Sequence, residues 1–154
     1  MFVLLAVLIG MIAGMRSMTA SAAVSWAARA GWLHLNESPL ALLGHALTPY
    51  IVTALAVGEF VADKLPRTPD RRTAFPFIGR IGSGALSGAA IGLSNGAAIQ
   101  GLAAGGLGAV AGTFGGFALR RGLMMAFGGK DLPAALIEDL IAVAGAAAIV
   151  AAVR

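Results

Sequence analysis

The hydrophobic positions of this chain form long runs separated by short polar stretches. Apolar residues dominate Phe2 to about Ala30, Thr48 to Leu65, Phe77 to Phe127 and Leu132 to Val153. Each run reaches or approaches the roughly 20 residues that a helix needs to cross a bilayer. The first is longer than required, so it predicts a helix that tilts, kinks near Gly14 or projects beyond the membrane. Thr48-Pro49 opens the second, because proline suits the first helical position, and Pro66 and Pro69 disfavour continuation past Leu65. The third run is long enough for two helices with Ser94-Asn95-Gly96 as the turn between them, and Asp131-Leu132-Pro133 opens the last.

The pattern therefore predicts an all-α membrane protein of one domain, 1–154, with about five transmembrane helices near 2–30, 49–65, 77–93, 97–119 and 133–153. Four is the alternative, with 77–93 only re-entrant. Segment 38–47 is too short and mixed to cross. Ser38 before Pro39, followed by four leucines, predicts a short interfacial helix there, with Trp26, Trp32 and Tyr50 as aromatic anchors.

Composition narrows the class. The chain is 58% hydrophobic and only 12% charged, against about 25% charged in a soluble domain. The absence of cysteine removes disulfides, thiolate metal sites and a cysteine nucleophile. The net charge of +4 does not indicate nucleic acid, because the basic residues gather in two connections. Lys64, Arg67, Arg71, Arg72 and Arg80 flank one; Arg120, Arg121 and Lys130 flank the other. Five spans put both on one side, and the positive-inside rule makes that side cytoplasmic, with the N-terminus cytoplasmic and the C-terminus periplasmic. Arg29 and Arg154 then lie at the outer face, against the bias but outnumbered. No basic region precedes the first apolar run and Arg16 follows it, so a retained helix is expected rather than a cleaved signal.

Glycines recur at four-residue spacing: Gly10 and Gly14; Gly84, Gly88 and Gly92; Gly108, Gly112 and Gly116. Residues four apart share a helix face, and glycine there lets backbones approach closely in lipid. The readings are packing within the protomer, a homo-oligomer contact, or a backbone-lined ion path. Run 10–17 also echoes 108–115, a weak match of the inverted-repeat kind.

Five ionisable residues interrupt the apolar runs: Arg16, Glu59, Asp63, Glu138 and Asp139. A charge at bilayer depth costs about 2.5–3.5 kcal/mol on insertion scales, so it faces a partner or a wet cavity. Glu59 and Asp63 share a helix face. By helix rise, Glu59 and Glu138 each lie about 9–10 Å from the cytoplasmic ends of their spans. Three readings follow. Arg16, with Lys64, Arg120 or Arg121, neutralises the carboxylates as structural pairs; or Glu59, Asp63, Glu138 and Asp139 form a proton or divalent-cation site with Arg16 as counter-ion; or Arg16, Arg120 and Arg121 bind an anionic headgroup. His34 and His45 make no zinc set, and no nucleophile–base order is visible, so an enzyme is not expected.

Three strings occur together: Gly14-Met15-Arg16-Ser17-Met18-Thr19-Ala20, Glu59-Phe60-Val61-Ala62-Asp63-Lys64-Leu65-Pro66-Arg67-Thr68-Pro69 and Ala111-Gly112-Thr113-Phe114-Gly115-Gly116. With them the chain resembles a family of small bacterial integral membrane proteins known only as a domain of unknown function. The resemblance covers nearly the whole chain; it implies a bacterial inner-membrane location and brings no activity. A weaker similarity is to manganese and calcium cation–proton exchangers, which carry Glu-x-Gly-Asp-Lys. Here Glu59 and Asp63 are one residue further apart without the glycine, and Glu138-Asp139 has no following lysine. The functional expectation is a small transporter or channel with an intramembrane acidic site; the alternative is a non-catalytic scaffold or lipid-interacting protein. The expected partners are the bilayer, a cation or proton, and a second copy through the glycine faces.

Overall fold

A computed structural model describes residues 1–35, 38–64 and 73–154. Every regular element among them is helical: α1 (Phe2–Met15), α2 (Ser17–Arg29), a 3₁₀ helix (Pro39–Gly44), α3 (Thr48–Ala62), α4 (Ala74–Leu93), α5 (Ala98–Ala126) and α6 (Asp131–Val153). Helices α5 and α6 are long and apolar enough to cross a membrane; α1 and α3 are shorter apolar helices. Helix α5 runs seven residues past the expected 119, because Leu, Arg and Met are good helix formers and the single Gly122 does not stop it before Gly128-Gly129. Those two glycines have φ of +63° and +85°, which lets the chain turn into α6 within four residues. The turn at Ser94–Gly96 forms as expected, with Gly96 at φ +69°. Of the expected cytoplasmic connection, Arg67, Arg71 and Arg72 lie outside the described residues.

The first apolar run departs from the single helix its length predicts. The chain leaves helical geometry at one residue, Arg16 (φ −143°, ψ 97°), and α2 turns back alongside α1. The contacts fix the directions. Met1 and Phe2 lie beside Asn95 and Val153, while Arg16 lies beside Asp63 and Asp139. At the far end of α2, the His34 amide donates to Ser94 Oγ at 3.0 Å. The Arg154 guanidinium there stands 5.5 Å from the Trp32 ring centroid. Residues 1–35 are thus a helical hairpin with its tip at Arg16 and both ends at the Ser94 end of the bundle. Each leg has 14 or 13 residues, about 20 Å at 1.5 Å per residue, less than the roughly 30 Å of a hydrocarbon core. Both termini therefore lie at one end of the bundle, where a single crossing by the first run would have separated them.

Glycine decides how closely the hairpin seats. A Cβ placed on Gly10 would come within 2.1 Å of Gly105 O, one on Gly112 within 2.0 Å of Met11 O, and one on Gly108 within 2.1 Å of Val7 O. Across the α4–α5 hairpin, Gly84, Gly88 and Gly92 meet the backbone of Gly105, Gly101 and Ala97 in the same way. Gly14 abuts Ala109 and Gly112, and Gly116 is buried. These faces are filled inside the protomer, so they are not open to a second copy. The echoing runs 10–17 and 108–115 face one another in helices that run parallel, since Val7 meets Gly108 and Met11 meets Gly112. Their likeness is that of two packing surfaces, and the parallel direction removes the inverted repeat.

Candidate functional site at the hairpin tip

Breaking a helix at Arg16 exposes carbonyls at the end of α1 and amides at the start of α2, and buried backbone groups need partners. Charged side chains from other helices supply them. Arg80 Nη1 of α4 donates to Gly14 O at 2.7 Å and Met15 O at 2.6 Å. Glu59 of α3 accepts from Ser17 N at 3.0 Å, Ser17 Oγ at 3.1 Å and Met18 N at 2.9 Å. An arginine on a helix C-terminus and a carboxylate on an N-terminus both match the helix dipoles. Arg80 Nη2 and Glu59 Oε1 are 3.7 Å apart, so the two clamps also pair with each other. Thr113 Oγ1 adds a 3.3 Å bond to Gly14 O, and Ser83 Oγ donates to Ser17 O at 2.6 Å.

The Arg16 side chain is fully buried in a second cluster. Its Nη1 is 2.8 Å from Asp63 Oδ2, and its Nη2 is 2.6 Å from Asp139 Oδ1 and 3.6 Å from Glu138 Oε2. These approaches are close but not aligned with the N–H bonds, and no guanidinium nitrogen of Arg16 makes a well-directed hydrogen bond. The attraction is Coulombic, with the Phe60 ring packed 5.7 Å from the guanidinium carbon. Arg120 of α5 closes the cluster from outside. It holds Asp131 with two bonds of 2.8 and 2.7 Å, contacts Asp63, and lies 3.4 Å from Glu138. Lys64 Nζ meets Asp139 Oδ2 at 2.5 Å and Phe60 O at 3.0 Å.

The structure therefore gathers Arg16, Asp63, Glu138 and Asp139 as the sequence predicts. It sets Glu59 apart, one turn before Asp63 on α3, on the amides of Ser17 and Met18. The four carboxylates do not converge on one point: among the described residues no three His, Cys, Asp or Glu side chains are placed to hold a metal ion. The divalent-cation set expected from Glu59, Asp63, Glu138 and Asp139 is thus corrected to two ion-pair clusters. The physical reason is that fixed cations or backbone amides already stand against each carboxylate: Arg16 and Arg120 against Asp63 and Glu138, Arg16 and Lys64 against Asp139, and the Ser17 and Met18 amides against Glu59. Arg120 and Lys64 are the neutralising residues foreseen from sequence, whereas Arg121 makes no ion pair among the described residues. Arg80 was legible only as a topology signal; its depth, six residues inside α4 and 7% exposed, marks it as a buried partner.

Comparison with protein-family models, curated proteins and solved structures finds no match for the chain.

Proposed function

We propose that the chain is a small multi-pass transporter or channel in a closed state, with the α1–α2 hairpin as its gate and the ion pairs around Arg16 as the lock. One observation carries the reading: a backbone break, at a buried arginine, at the tip of a hairpin too short to cross. Non-helical backbone at membrane depth persists where protein buries it or where it lines a conduction path, and discontinuous helices are a recurring feature of transport sites. In this reading α4, α5 and α6 cross the bilayer as one membrane domain, and the hairpin re-enters from the face that holds both termini. Helix α3, at 15 residues and about 22 Å, reaches the depth of the hairpin tip, where Asp63 meets Arg16. The positive-inside rule puts Lys64, Arg120, Arg121 and Lys130 in the cytoplasm, hence both termini and the 3₁₀ helix on the periplasmic side of the inner membrane. A proton or small ion is the cargo this chemistry fits, because protonating one carboxylate loosens the pairs that hold the tip.

Flux in proteoliposomes, screened over protons, alkali and divalent cations and small anions, tests it. At least one should cross, faster in Lys64→Met, which loosens the rim pair to Asp139. A second reading, a non-catalytic scaffold, is favoured by the pairing of every carboxylate at the tip. Folded wild-type and Lys64→Met proteins that both pass none of the screened ions would establish it.

Orientation has its own test. A membrane-impermeant thiol reagent on intact cells should label Asn95→Cys and a cysteine added before Met1, and spare Lys130→Cys. Opposite labelling of the first two would restore a single crossing helix.

A further inference from the structure

Helices α2, α3 and α6 leave an apolar groove of about 520 Å³ between them. The volume lies within the roughly 300–1,000 Å³ of small-molecule sites. Its walls are mostly alanine and valine, and both tryptophans of the chain, Trp26 and Trp32, line it. It runs from Phe60, beside the charged tip, to Ala30, Trp32 and Ala151 at the end that holds the termini.

Two arginines stand at that mouth. Arg154 follows the Val150–Ala151 wall of α6, with its guanidinium 5.5 Å from the Trp32 centroid. Arg29 is exposed, one turn beyond Trp26 and two beyond Ala22, both groove-lining residues, so it lies at the same rim. Neither makes an ion pair with a described residue. They are also the two basic residues that run against the charge bias of the chain. An apolar slot, opening between indole rings and two cations that have no ion-pair partner among the described residues, is complementary to an acyl chain with an anionic head.

We infer that the groove between α2, α3 and α6 holds one acyl chain of an anionic phospholipid, with its phosphate between Arg29 and Arg154. Charge complementarity selects the anionic headgroup, and the alanine-lined wall accepts the chain. The inference rests on the reading that the helices lie in a bilayer. It also gives the hairpin a lipid neighbour along the whole of α2, the leg that a gate would move.

The tryptophans report the groove directly. Protein is reconstituted in bilayers doped with lipid brominated on the acyl chain, either phosphatidylglycerol or phosphatidylcholine, and indole fluorescence is followed against mole fraction. Brominated phosphatidylglycerol should quench at a mole fraction lower by roughly fivefold per arginine, the preference that about 1 kcal/mol per cation gives. Arg29→Gln with Arg154→Gln should abolish that preference; both positions are exposed, so the fold is not at stake. Ala147→Leu, on the exposed groove wall, should weaken quenching by either lipid. Equal quenching by both lipids in the wild type overturns the inference while leaving the bilayer reading intact. A preference that survives loss of both arginines also overturns it. No quenching by either lipid overturns the bilayer reading itself, and the inference with it.

Discussion

Arg16→Met should destabilise the protein by about 3–5 kcal/mol, the cost of removing one partner from a buried ion pair. The change takes a fully buried cation from a cluster in which Glu138 is also fully buried. Asp63 keeps Arg120 and Asp139 keeps Lys64, while the fully buried Glu138, 3.4 Å from Arg120, loses the guanidinium 3.6 Å away. Thermal unfolding in detergent should show the loss. A second substitution should return part of it: Asp139→Asn most, because Asp139 is the closest carboxylate at 2.6 Å and its other partner is the more exposed Lys64. Glu59→Gln should return nothing. Its carboxylate serves the α2 amides of Ser17 and Met18 and not Arg16, so the amide adds a second defect. Rescue by Glu59→Gln equal to that by Asp139→Asn would mean that the two clusters are one site.

Gly105→Ala is expected to cost about 1–3 kcal/mol, as overpacking does in a close-packed interior, although alanine is the better helix former. The new methyl would sit 2.1 Å from Gly84 O and 2.9 Å from Gly88 Cα, and backbone cannot rotate aside as a side chain can. Gly122→Ala is the control on the same helix. Nothing lies within 4 Å of its Cβ position, so it should be neutral or stabilise by up to about 1 kcal/mol. Unfolding midpoints that move the same way for both would show that α4 and α5 are not in glycine-mediated contact.

Much of the architecture is legible in the chain because it rests on local rules. Proline at Thr48-Pro49, the Ser94–Gly96 turn and the Asp131 start are written in backbone preferences, and α3 to α6 begin and end within a few residues of where those preferences place them, except the longer α5. The gathering of Arg16, Asp63, Glu138 and Asp139 is legible for a different reason. A charge in an apolar run must find a partner, and few are within reach. The four-residue glycine spacing announces close backbone contact, though not which helices make it.

What the sequence by itself determined, then, is an all-helical chain whose buried charges must meet and whose glycine faces must pack. Only the tertiary structure decided that the first apolar run folds back. A run of about 28 residues has the same composition whether it crosses once or turns at its middle. The choice lies in partners far along the chain: Arg80 for the carbonyls of Gly14 and Met15, and Glu59 for the amides of Ser17 and Met18. Without them a break at Arg16 leaves backbone groups bare in an apolar surrounding, at several kcal/mol each. With them the break is stable, and it turns the Arg16 side chain into the carboxylate cluster and brings both termini to one end.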